Sequence, residues 1–125
     1  MNLIQVTIPS IDLEKSVRFY QKLGLQLIVD SIPRYARFVC PDGNATFSIH
    51  RVEKLAVGEG VTVYFECENL DIEYNRLIAE GVEFIHPPID QTWLWKEARL
   101  KDPDGNNIIL FYGGENRVNP PWRIK

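Results

Sequence analysis

The chain has 125 residues, 45% hydrophobic and 25% charged, which is enough apolar material for one compact core and excludes a disordered chain. Its net charge is -3 and its 14 Lys and Arg residues form no basic run, so nucleic acid is not an expected partner. No stretch approaches the roughly 20 apolar residues that span a bilayer. Residues 1–4 run directly into a strand-like pattern without the charged and apolar blocks of a signal peptide, so we expect none. We therefore expect a cytoplasmic protein without a membrane partner.

The first half of the chain predicts one strand, one helix and three further strands. Residues 4–8 alternate apolar and polar side chains, as a strand with one buried face does. Asp12 is a suitable N-cap for the helix that follows, and Gly24 can end that helix in the left-handed conformation. The three further strands are expected at 25–29, 35–40 and 45–51, with a Pro-Asp-Gly turn between the last two.

The second half repeats this order. Residues 61–67 alternate as the first strand does, Asn69 can cap a helix, and Gly81 follows that helix. Further strands are expected at 82–85, 96–101 and 108–112, a loop able to cover a pocket at 87–92, a linker at 54–60 and a tail at 113–125. We therefore expect a single domain, residues 1–125, with one module over about 1–53 and a second over about 61–112.

The two cysteines, Cys40 and Cys67, stand alone, with neither a Cys-x-x-Cys pair nor a His cluster nearby in sequence. Such isolated residues do not form the ligand spacing of a zinc site or the framework of a disulfide-rich fold. We expect both to be reduced packing thiols.

An Arg-x-x-x-Pro-Asp-Gly-Asn string occurs at 37–44 and again at 99–106. Its Pro, Asp and Gly are favourable turn residues, so the string indicates fold rather than reaction. Its recurrence at the equivalent place in both halves predicts a duplicated supersecondary unit whose copies share an interior surface. The duplication predicts that Arg37 and Arg99 both point into that interior.

Six short segments, taken in their order along the chain, are informative together. They are residues 11–16 (Ile-Asp-Leu-Glu-Lys-Ser), 19–20 (Phe-Tyr), 23–24 (Leu-Gly), 64–66 (Tyr-Phe-Glu), 81–82 (Gly-Val) and 101–106 (Lys-Asp-Pro-Asp-Gly-Asn). In this order the chain resembles the vicinal oxygen chelate superfamily, which includes glyoxalases, bleomycin-resistance proteins, fosfomycin-resistance enzymes and extradiol dioxygenases. The resemblance implies an α+β fold. Two β-α-β-β-β modules would form a cup-shaped curved mixed sheet with the helices outside and a ligand inside, usually in a homodimer.

Metal-dependent members of the superfamily hold a divalent ion through His, Gln or Glu side chains on the first and last strands of each module. The corresponding positions here fall on Gln5, on Phe47 or Ser48, on Thr62 and on Ile109. A single neutral amide does not hold a catalytic divalent ion, which needs several charged or imidazole ligands. We therefore expect no metal and no cofactor. An alternative metal site formed by Gln5, His50 and Glu66 would require shifts in strand register. Each one-residue shift turns a strand side chain to the opposite face of the sheet.

Strand alternation also predicts which polar side chains line the cup. From this alternation the substrate-binding candidates are Gln5, Thr7, Arg37, Tyr64 and Arg99, and the catalytic candidates are Glu66 and Glu97. Two further substrate-binding candidates are His50, at a strand end, and Trp95, one of two tryptophans before the seventh strand. Arginine side chains at such positions can grip a carboxylate or phosphate through paired donors. The alternatives are that Arg37 and Arg99 form structural ion pairs with acids such as Glu97, and that His50 is an ordinary strand-end histidine.

Three functions remain open at this point. The preferred one is a metal-free small-molecule-binding protein similar to the bleomycin-resistance branch, with a polar or anionic and potentially aromatic ligand. The second is a lyase or isomerase of the glyoxalase type, metal-assisted or with Glu66 or Glu97 as general base. The third is a structural or regulatory dimer. A dioxygenase is disfavoured because non-haem iron takes two His and one carboxylate, and the only two histidines are unsuitably placed. The sequence leaves open whether the protein is an enzyme.

Overall fold

A computed structural model describes residues 1–124 of the chain. Its elements, in chain order, are β1 (Gln5–Ser10), α1 (Leu13–Leu23), β2 (Gln26–Ser31), β3 (Tyr35–Val39), β4 (Thr46–Arg51), β5 (Thr62–Glu66), α2 (Leu70–Ala79), β6 (His86–Asp90), β7 (Lys96–Lys101) and β8 (Asn107–Tyr112). A short 3-10 helix, Gly114–Arg117, follows. The predicted order β-α-β-β-β is confirmed in both halves, and the fold is α+β with two repeated modules.

Each module forms a four-stranded mixed sheet. The strand orders are β1-β4-β3-β2 and β5-β8-β7-β6, so the first strand of each module pairs with its last. Those first pairs are parallel and the other pairs are antiparallel. Two compact units result: one is Met1–Gly58 together with Asp102–Gly105, and the other is Glu59–Lys101 together with the chain from Asn106 onward.

The core of the first unit lies between its sheet and α1. The buried ring of Tyr20 contacts Phe38 at 5.9 Å and Phe47 at 4.7 Å between centroids. Phe38 and Phe47 are cross-strand partners, so they share the sheet face that α1 covers. Asp12 caps α1 by accepting a hydrogen bond from the Lys15 amide, as its sequence position predicted.

The core of the second unit follows the same register. Leu100 and Ile108 are cross-strand partners, each buried, and occupy the places that Phe38 and Phe47 hold in the first unit. Leu77 of α2 is fully buried, as Tyr20 of α1 is. Asn69 caps α2 through the amide of Ile72, which confirms that predicted helix start.

The strand predicted at 82–85 is wrong, and so is the loop predicted at 87–92. The strand lies four residues later, at β6, and contains Pro87 and Pro88. Proline lacks an amide donor but is tolerated on an edge strand or at a bulge. Strand β6 lies at the sheet edge, and its pairing with β7 shifts register between His86 and Ile89. The prolines therefore mark an irregular edge strand rather than a loop.

The Pro-Asp-Gly turn at Asp102–Gly105 belongs to the first unit through hydrogen bonds to α1. Tyr20 donates from its hydroxyl to Asp102 at 2.6 Å, and Ser16 donates from its hydroxyl to Asp104 at 2.8 Å. The bond to Asp102 satisfies the buried Tyr20 hydroxyl, and the bond to Asp104 adds a second partner to the Ser16 hydroxyl, which also contacts the Ser10 hydroxyl at 2.8 Å. The turn is therefore part of the packing of α1 as well as the link between β7 and β8.

No helix within residues 1–124 combines the length and the hydropathy needed to cross a membrane.

Candidate functional site

The face of the first sheet opposite α1 carries a group of polar side chains. Residues that share this face are cross-strand partners or alternate along a strand: Gln5, Thr7, Tyr35, Arg37, Ser48 and His50. We call them the first helix-free face. All four residues of the first module that the sequence predicted as ligand-binding lie on this face. They are distributed over three adjacent strands, β1, β4 and β3.

Arg37 and Tyr35 are linked at the centre of this face. The Arg37 Nε–H donates to the Tyr35 hydroxyl oxygen at 2.8 Å, and the guanidinium carbon lies 5.4 Å from the centre of the Tyr35 ring. Thr7 and Ser48, partners across β1 and β4, have their hydroxyl oxygens 2.5 Å apart. The Thr7 and Ser48 hydroxyls therefore lie on the same face as the Arg37 guanidinium, which is held by its hydrogen bond to Tyr35.

These neighbours change the acidity of Tyr35. Desolvation of its hydroxyl acts to raise the pKa, but the hydrogen-bonding influence of Ser48 and Arg37, together with the positive charge of Arg37, outweighs it. The pKa of Tyr35 is therefore lowered from its usual value of 10.0.

Arg37 has unused donors. Its only side-chain hydrogen bond to residues 1–124 is the one from Nε to Tyr35, and no acid within that range pairs with it. The two terminal guanidinium nitrogens therefore carry N–H donors that no described protein group accepts. Gln5 and His50 lie at the two ends of the face, where Gln5 accepts a 2.7 Å hydrogen bond from Thr46 and His50 is exposed.

The second sheet has an equivalent face, opposite α2. Its members are Tyr64, Glu66, Glu97, Arg99, Ile109 and Phe111, which we call the second helix-free face. Four predicted site residues lie on it: Tyr64, Glu66, Glu97 and Arg99. Arg99 contacts Glu97 at 3.5 Å, so here the ion pair considered as an alternative is present, in a long geometry. Whether the two helix-free faces share one cup stays a prediction.

The carboxylate of Glu97 is held by an indole. Trp93 Nε1–H donates to it at 2.8 Å, and the Glu97 side chain is fully buried. A buried charged group needs such donors to offset the loss of water. Glu97 is therefore tied to the segment before β7, an arrangement that limits its access to a ligand.

The predicted site residue Trp95 lies just before β7 and packs into an aromatic cluster. Its ring stacks on Phe111 with centroids 4.6 Å apart, and Tyr64 meets both rings edge-on. The Trp95 indole donates to the Asn116 carbonyl at 3.3 Å. Glu66, next to this cluster in register, is exposed and accepts a 3.2 Å hydrogen bond from the Gly113 amide. One wall of the second helix-free face is therefore aromatic.

The side chains at the superfamily's metal positions do not fit a divalent ion. In the first unit these are Gln5 and Ser48, whose oxygens already interact with Thr46 and Thr7. In the second unit they are Thr62 and Ile109, and Ile109 is a buried hydrocarbon. No three His, Cys, Asp or Glu side chains in the described part of the chain are grouped so as to hold a metal ion. A neutral amide and hydroxyls are a poor donor set for such an ion.

Tyr35, Ser48 and Trp93 were not among the predicted site residues, although each contacts or neighbours one that was. The repeat gave no direct signal for Tyr35, because Glu97 stands at the equivalent position of the second half. Both strings are preceded by a short extension, Tyr35-Ala36 in the first and Glu97-Ala98 in the second. In both units the arginine contacts the side chain two residues before it. The sequence repeat therefore extends one residue further toward the N-terminus, to Ala36 and Ala98, and the arginine contact made two residues before is shared although Tyr35 and Glu97 differ.

Comparison with known proteins decides the family. A family model described as Glyoxalase/Bleomycin resistance protein/Dioxygenase superfamily matches residues 2–110. The chain belongs to this superfamily. The resemblance found in the sequence is thereby confirmed, together with the fold it implied.

Among curated proteins, a trivalent organoarsenical cleaving enzyme from Bacillus sp. (strain MD1) is 29% identical over 120 residues, 88% of this chain and 74% of that protein. A solved structure of a superfamily member from Nocardioides has a TM-score of 0.78 and 28% identity, and covers 100% of this chain and 90% of its own. A bleomycin-binding protein complexed with bleomycin has a TM-score of 0.76 and 19% identity, covering 91% and 99% of the two chains. The two solved structures share the fold of this chain.

Proposed function

We propose that this superfamily member is a small-molecule-binding protein that takes an anionic organic ligand at its first helix-free face, without a divalent ion at the superfamily's metal positions. The observation that carries this proposal is the pair of terminal guanidinium nitrogens of Arg37 without an acceptor in the described chain. The binding of bleomycin by a protein of the same fold supports a role in small-molecule binding.

The chemistry of the face favours a carboxylate or phosphate ligand. A guanidinium is planar and presents its terminal N–H groups in the geometry of a bidentate carboxylate pair. Hydrogen bonding of Nε to Tyr35 holds the guanidinium in place, which lowers the entropy lost when a ligand binds. The exposed hydroxyl of Thr7 provides a further neutral hydrogen-bonding group beside it, whereas the Ser48 hydroxyl is fully buried and bonded to Thr7. We expect a small anion with additional oxygen atoms to be preferred over a purely apolar one.

The aromatic wall of the second helix-free face supports the further expectation that some ligands carry a planar group. We also expect a homodimer, as the superfamily resemblance implies. Sedimentation of the purified chain at several concentrations checks the dimer, and a monomer at all of them contradicts it.

A calorimetric titration tests the binding proposal. The ligands are pyruvate, benzoate and inorganic phosphate, each with a chelator present, and the protein variants are Arg37→Met and, as a matched control, Arg34→Met. Arg34 is an exposed arginine near the start of β3. Loss of the charged donors of Arg37 is expected to weaken binding roughly tenfold to one hundredfold, since hydrogen bonds to charged groups contribute about 1.5–3 kcal/mol. Arg34→Met should bind as the wild type does.

Two results contradict the proposal. If none of the three ligands binds the wild type, the face is not an anion site. If Arg34→Met weakens binding as much as Arg37→Met, the effect comes from net charge and not from a defined site.

A lyase or isomerase of the glyoxalase type is the second candidate, favoured by the two carboxylates on the second helix-free face. Of these, Glu66 is the better general base because it is exposed, whereas Glu97 is enclosed and bonded to Trp93. Turnover of a 2-oxo aldehyde adduct that is lost in Glu66→Gln but kept in Glu97→Gln would support this candidate.

We do not extend organoarsenical cleavage to this chain. Trivalent arsenic is a soft centre that favours thiolate ligands, and both cysteines of this chain, Cys40 and Cys67, are only partly exposed. Burial and the nearby Asp42 also raise the pKa of Cys40, which disfavours its thiolate. The likeness to the organoarsenical enzyme is therefore one of family rather than of thiol chemistry.

A further inference from the structure

Three aromatic side chains at the second helix-free face leave one ring face open. The Trp95 and Phe111 rings are stacked at 4.6 Å, and the centroid of the Tyr64 ring lies 5.8 Å from that of Trp95 and 5.5 Å from that of Phe111. A ring almost equally distant from two stacked rings stands beside the stack and not on top of it. The face of Trp95 opposite Phe111 is therefore covered by no other ring of the cluster, and Trp95 is half-buried rather than enclosed.

A carboxylate lies next to this open ring. Strand β8 lies between β5 and β7, and Gly113 directly follows it. From the β5 side, Glu66 accepts a hydrogen bond from the Gly113 amide at 3.2 Å. From the β7 side, Trp95 approaches so closely that a Cβ on Gly113 would lie 3.1 Å from its Nε1 atom. The Glu66 carboxylate and the Trp95 indole therefore flank the same glycine.

Two backbone features support the placement of Trp95. Gly113 has φ -112°, which any residue can adopt, so its lack of a side chain serves the close approach of Trp95 rather than a special backbone conformation. Leu94, the residue before Trp95, has φ 67°, in the left-handed region that leucine rarely adopts. Backbone strain of this kind is concentrated at ligand sites. The turn therefore holds Trp95 beside Glu66 at some cost in backbone energy.

The Glu66 carboxylate has further acceptor capacity. A carboxylate offers about four acceptor sites, and the Gly113 amide uses one of them, on Oε2. No lysine or arginine within residues 1–124 forms an ion pair with Glu66, whose side chain is exposed. The other charged side chains of this face, Glu97 and Arg99, contact each other at 3.5 Å. The charge beside the open ring of Trp95 is therefore negative and has no cationic partner in the described chain.

We propose that Trp95, Tyr64 and Glu66 form a binding site for an organic cation of the quaternary ammonium type. The site lies in the other unit from Arg37 and goes beyond the anion-binding function. The face of an indole is the aromatic surface that attracts a cation most strongly. The exposed Tyr64 ring offers a second wall, at 86° to Trp95, and Glu66 adds the attraction of a full negative charge. Aromatic walls of this kind recognise quaternary ammonium groups, which carry no N–H donor.

Titration with choline at low ionic strength, followed by NMR of the indole N–H signals, tests the proposal. The chain has three tryptophans, so the signal missing in Trp95→Phe identifies Trp95. If that variant does not fold, the signals missing in Trp93→Phe and Trp122→Phe identify Trp95 by elimination. Choline should shift the Trp95 signal and leave that of Trp122, which is 57% exposed, unchanged.

A matched ligand isolates the contribution of the positive charge. The neutral alcohol 3,3-dimethyl-1-butanol has the shape of choline with carbon in place of the charged nitrogen. It should bind about three- to thirtyfold more weakly than choline, as expected for the loss of a cation–π contact.

A pair of matched variants isolates the contribution of Glu66. Glu66→Gln keeps an oxygen for the Gly113 amide but removes the charge, so choline binding should weaken about two- to fivefold while binding of the neutral alcohol stays the same. Glu83→Gln removes an exposed acid of the same unit and should bind choline as the wild type does.

Three results overturn the proposal. A Trp95 signal that does not respond to choline shows that the site does not exist. Equal binding of choline and the neutral alcohol shows an apolar surface and not a cation site. Equal weakening in Glu66→Gln and Glu83→Gln shows an effect of net charge and removes Glu66 from the site. None of these results affects the anion-binding function, which is tested by different ligands and by Arg37→Met.

Discussion

The buried hydroxyl of Tyr20 donates a 2.6 Å hydrogen bond to Asp102, which lies 82 positions later in the chain. The acceptor belongs to the second Pro-Asp-Gly turn, and it is 5% exposed. The equivalent turn of the first half differs, since Cys40 stands at the position of Asp102, and Asp42, the equivalent of Asp104, is exposed. Two turns with the same residues therefore have different structural roles, one at the surface and one packed against α1.

Replacement of Tyr20 by Phe is expected to lower the free energy of unfolding by about 1–3 kcal/mol, because it removes a donor from a buried carboxylate. Urea denaturation followed by circular dichroism measures the effect. Tyr112→Phe, which alters an exposed ring, should stay within about 0.5 kcal/mol of the wild type. Equal losses of unfolding free energy in the two variants would show that the hydrogen bond from Tyr20 to Asp102 does not contribute to stability.

Stability should also fall at alkaline pH because of Tyr20. Burial, followed by the charge of Asp102 and the hydrogen bond to it, raises the pKa of Tyr20 far above its usual value of 10.0. Above that pH the unfolded chain binds fewer protons than the folded chain, so the slope of unfolding free energy against pH is negative. The contribution is fully present below pH 10 and is lost as pH rises further. Urea denaturation at about pH 8 and about pH 11 measures the free energy of unfolding at each pH. Between the two, this free energy should decrease less in Tyr20→Phe than in the wild type.

Replacement of Trp93 by Phe is expected to destabilise the second unit by about 1–3 kcal/mol. The change removes the indole donor from the fully buried Glu97 carboxylate, which costs more than losing an exposed bond. The matched control is Trp122→Phe, since Trp122 is 57% exposed. Thermal unfolding measures both variants. A midpoint for Trp93→Phe no lower than that of Trp122→Phe would contradict the role assigned to this hydrogen bond.

Two glycine substitutions should be costly for different reasons. Gly43 has φ +79° with open space around the position of a Cβ, so Gly43→Ala is strained by about 1–2 kcal/mol without disturbing neighbours. Gly113 has φ -112°, but a Cβ there would lie 3.1 Å from Trp95 Nε1. Gly113→Ala should therefore shift the tryptophan fluorescence spectrum, whereas Gly43→Ala should not. An unchanged spectrum in Gly113→Ala would show that Trp95 yields without cost.

Much of the fold could be predicted because its signals are local. Alternation placed Thr7 on one face and Ile8 on the other, and the residue types of Asp12 and Asn69 marked both helix starts. Strand β6 could not be predicted in this way. Its Pro87 is a strong loop signal, and only the edge position of the strand, which is a tertiary property, makes proline acceptable there.

The candidate site was less accessible to prediction than the fold. Alternation identified the face on which Arg37 lies, but not what its guanidinium contacts. The same pattern treated Arg37 and Arg99 as equivalent, whereas one contacts a tyrosine and the other a buried carboxylate. Each contact depends on the residue two positions before the arginine, which is Tyr35 in one unit and Glu97 in the other. Strand periodicity shows only which face a residue lies on, so it does not distinguish tyrosine from glutamate there. Side-chain chemistry on a strand therefore needs the structure.

The inclusion of the turn Asp102–Gly105 in the first unit also affects how the chain folds during synthesis. Strand β4 ends at Arg51, so the first sheet can pair once roughly half of the chain has left the ribosome. The hydroxyls of Tyr20 and Ser16 must still wait for Asp102 and Asp104. The first unit to be translated is thus not completed until most of the second has been made, which couples the maturation of the two units in time.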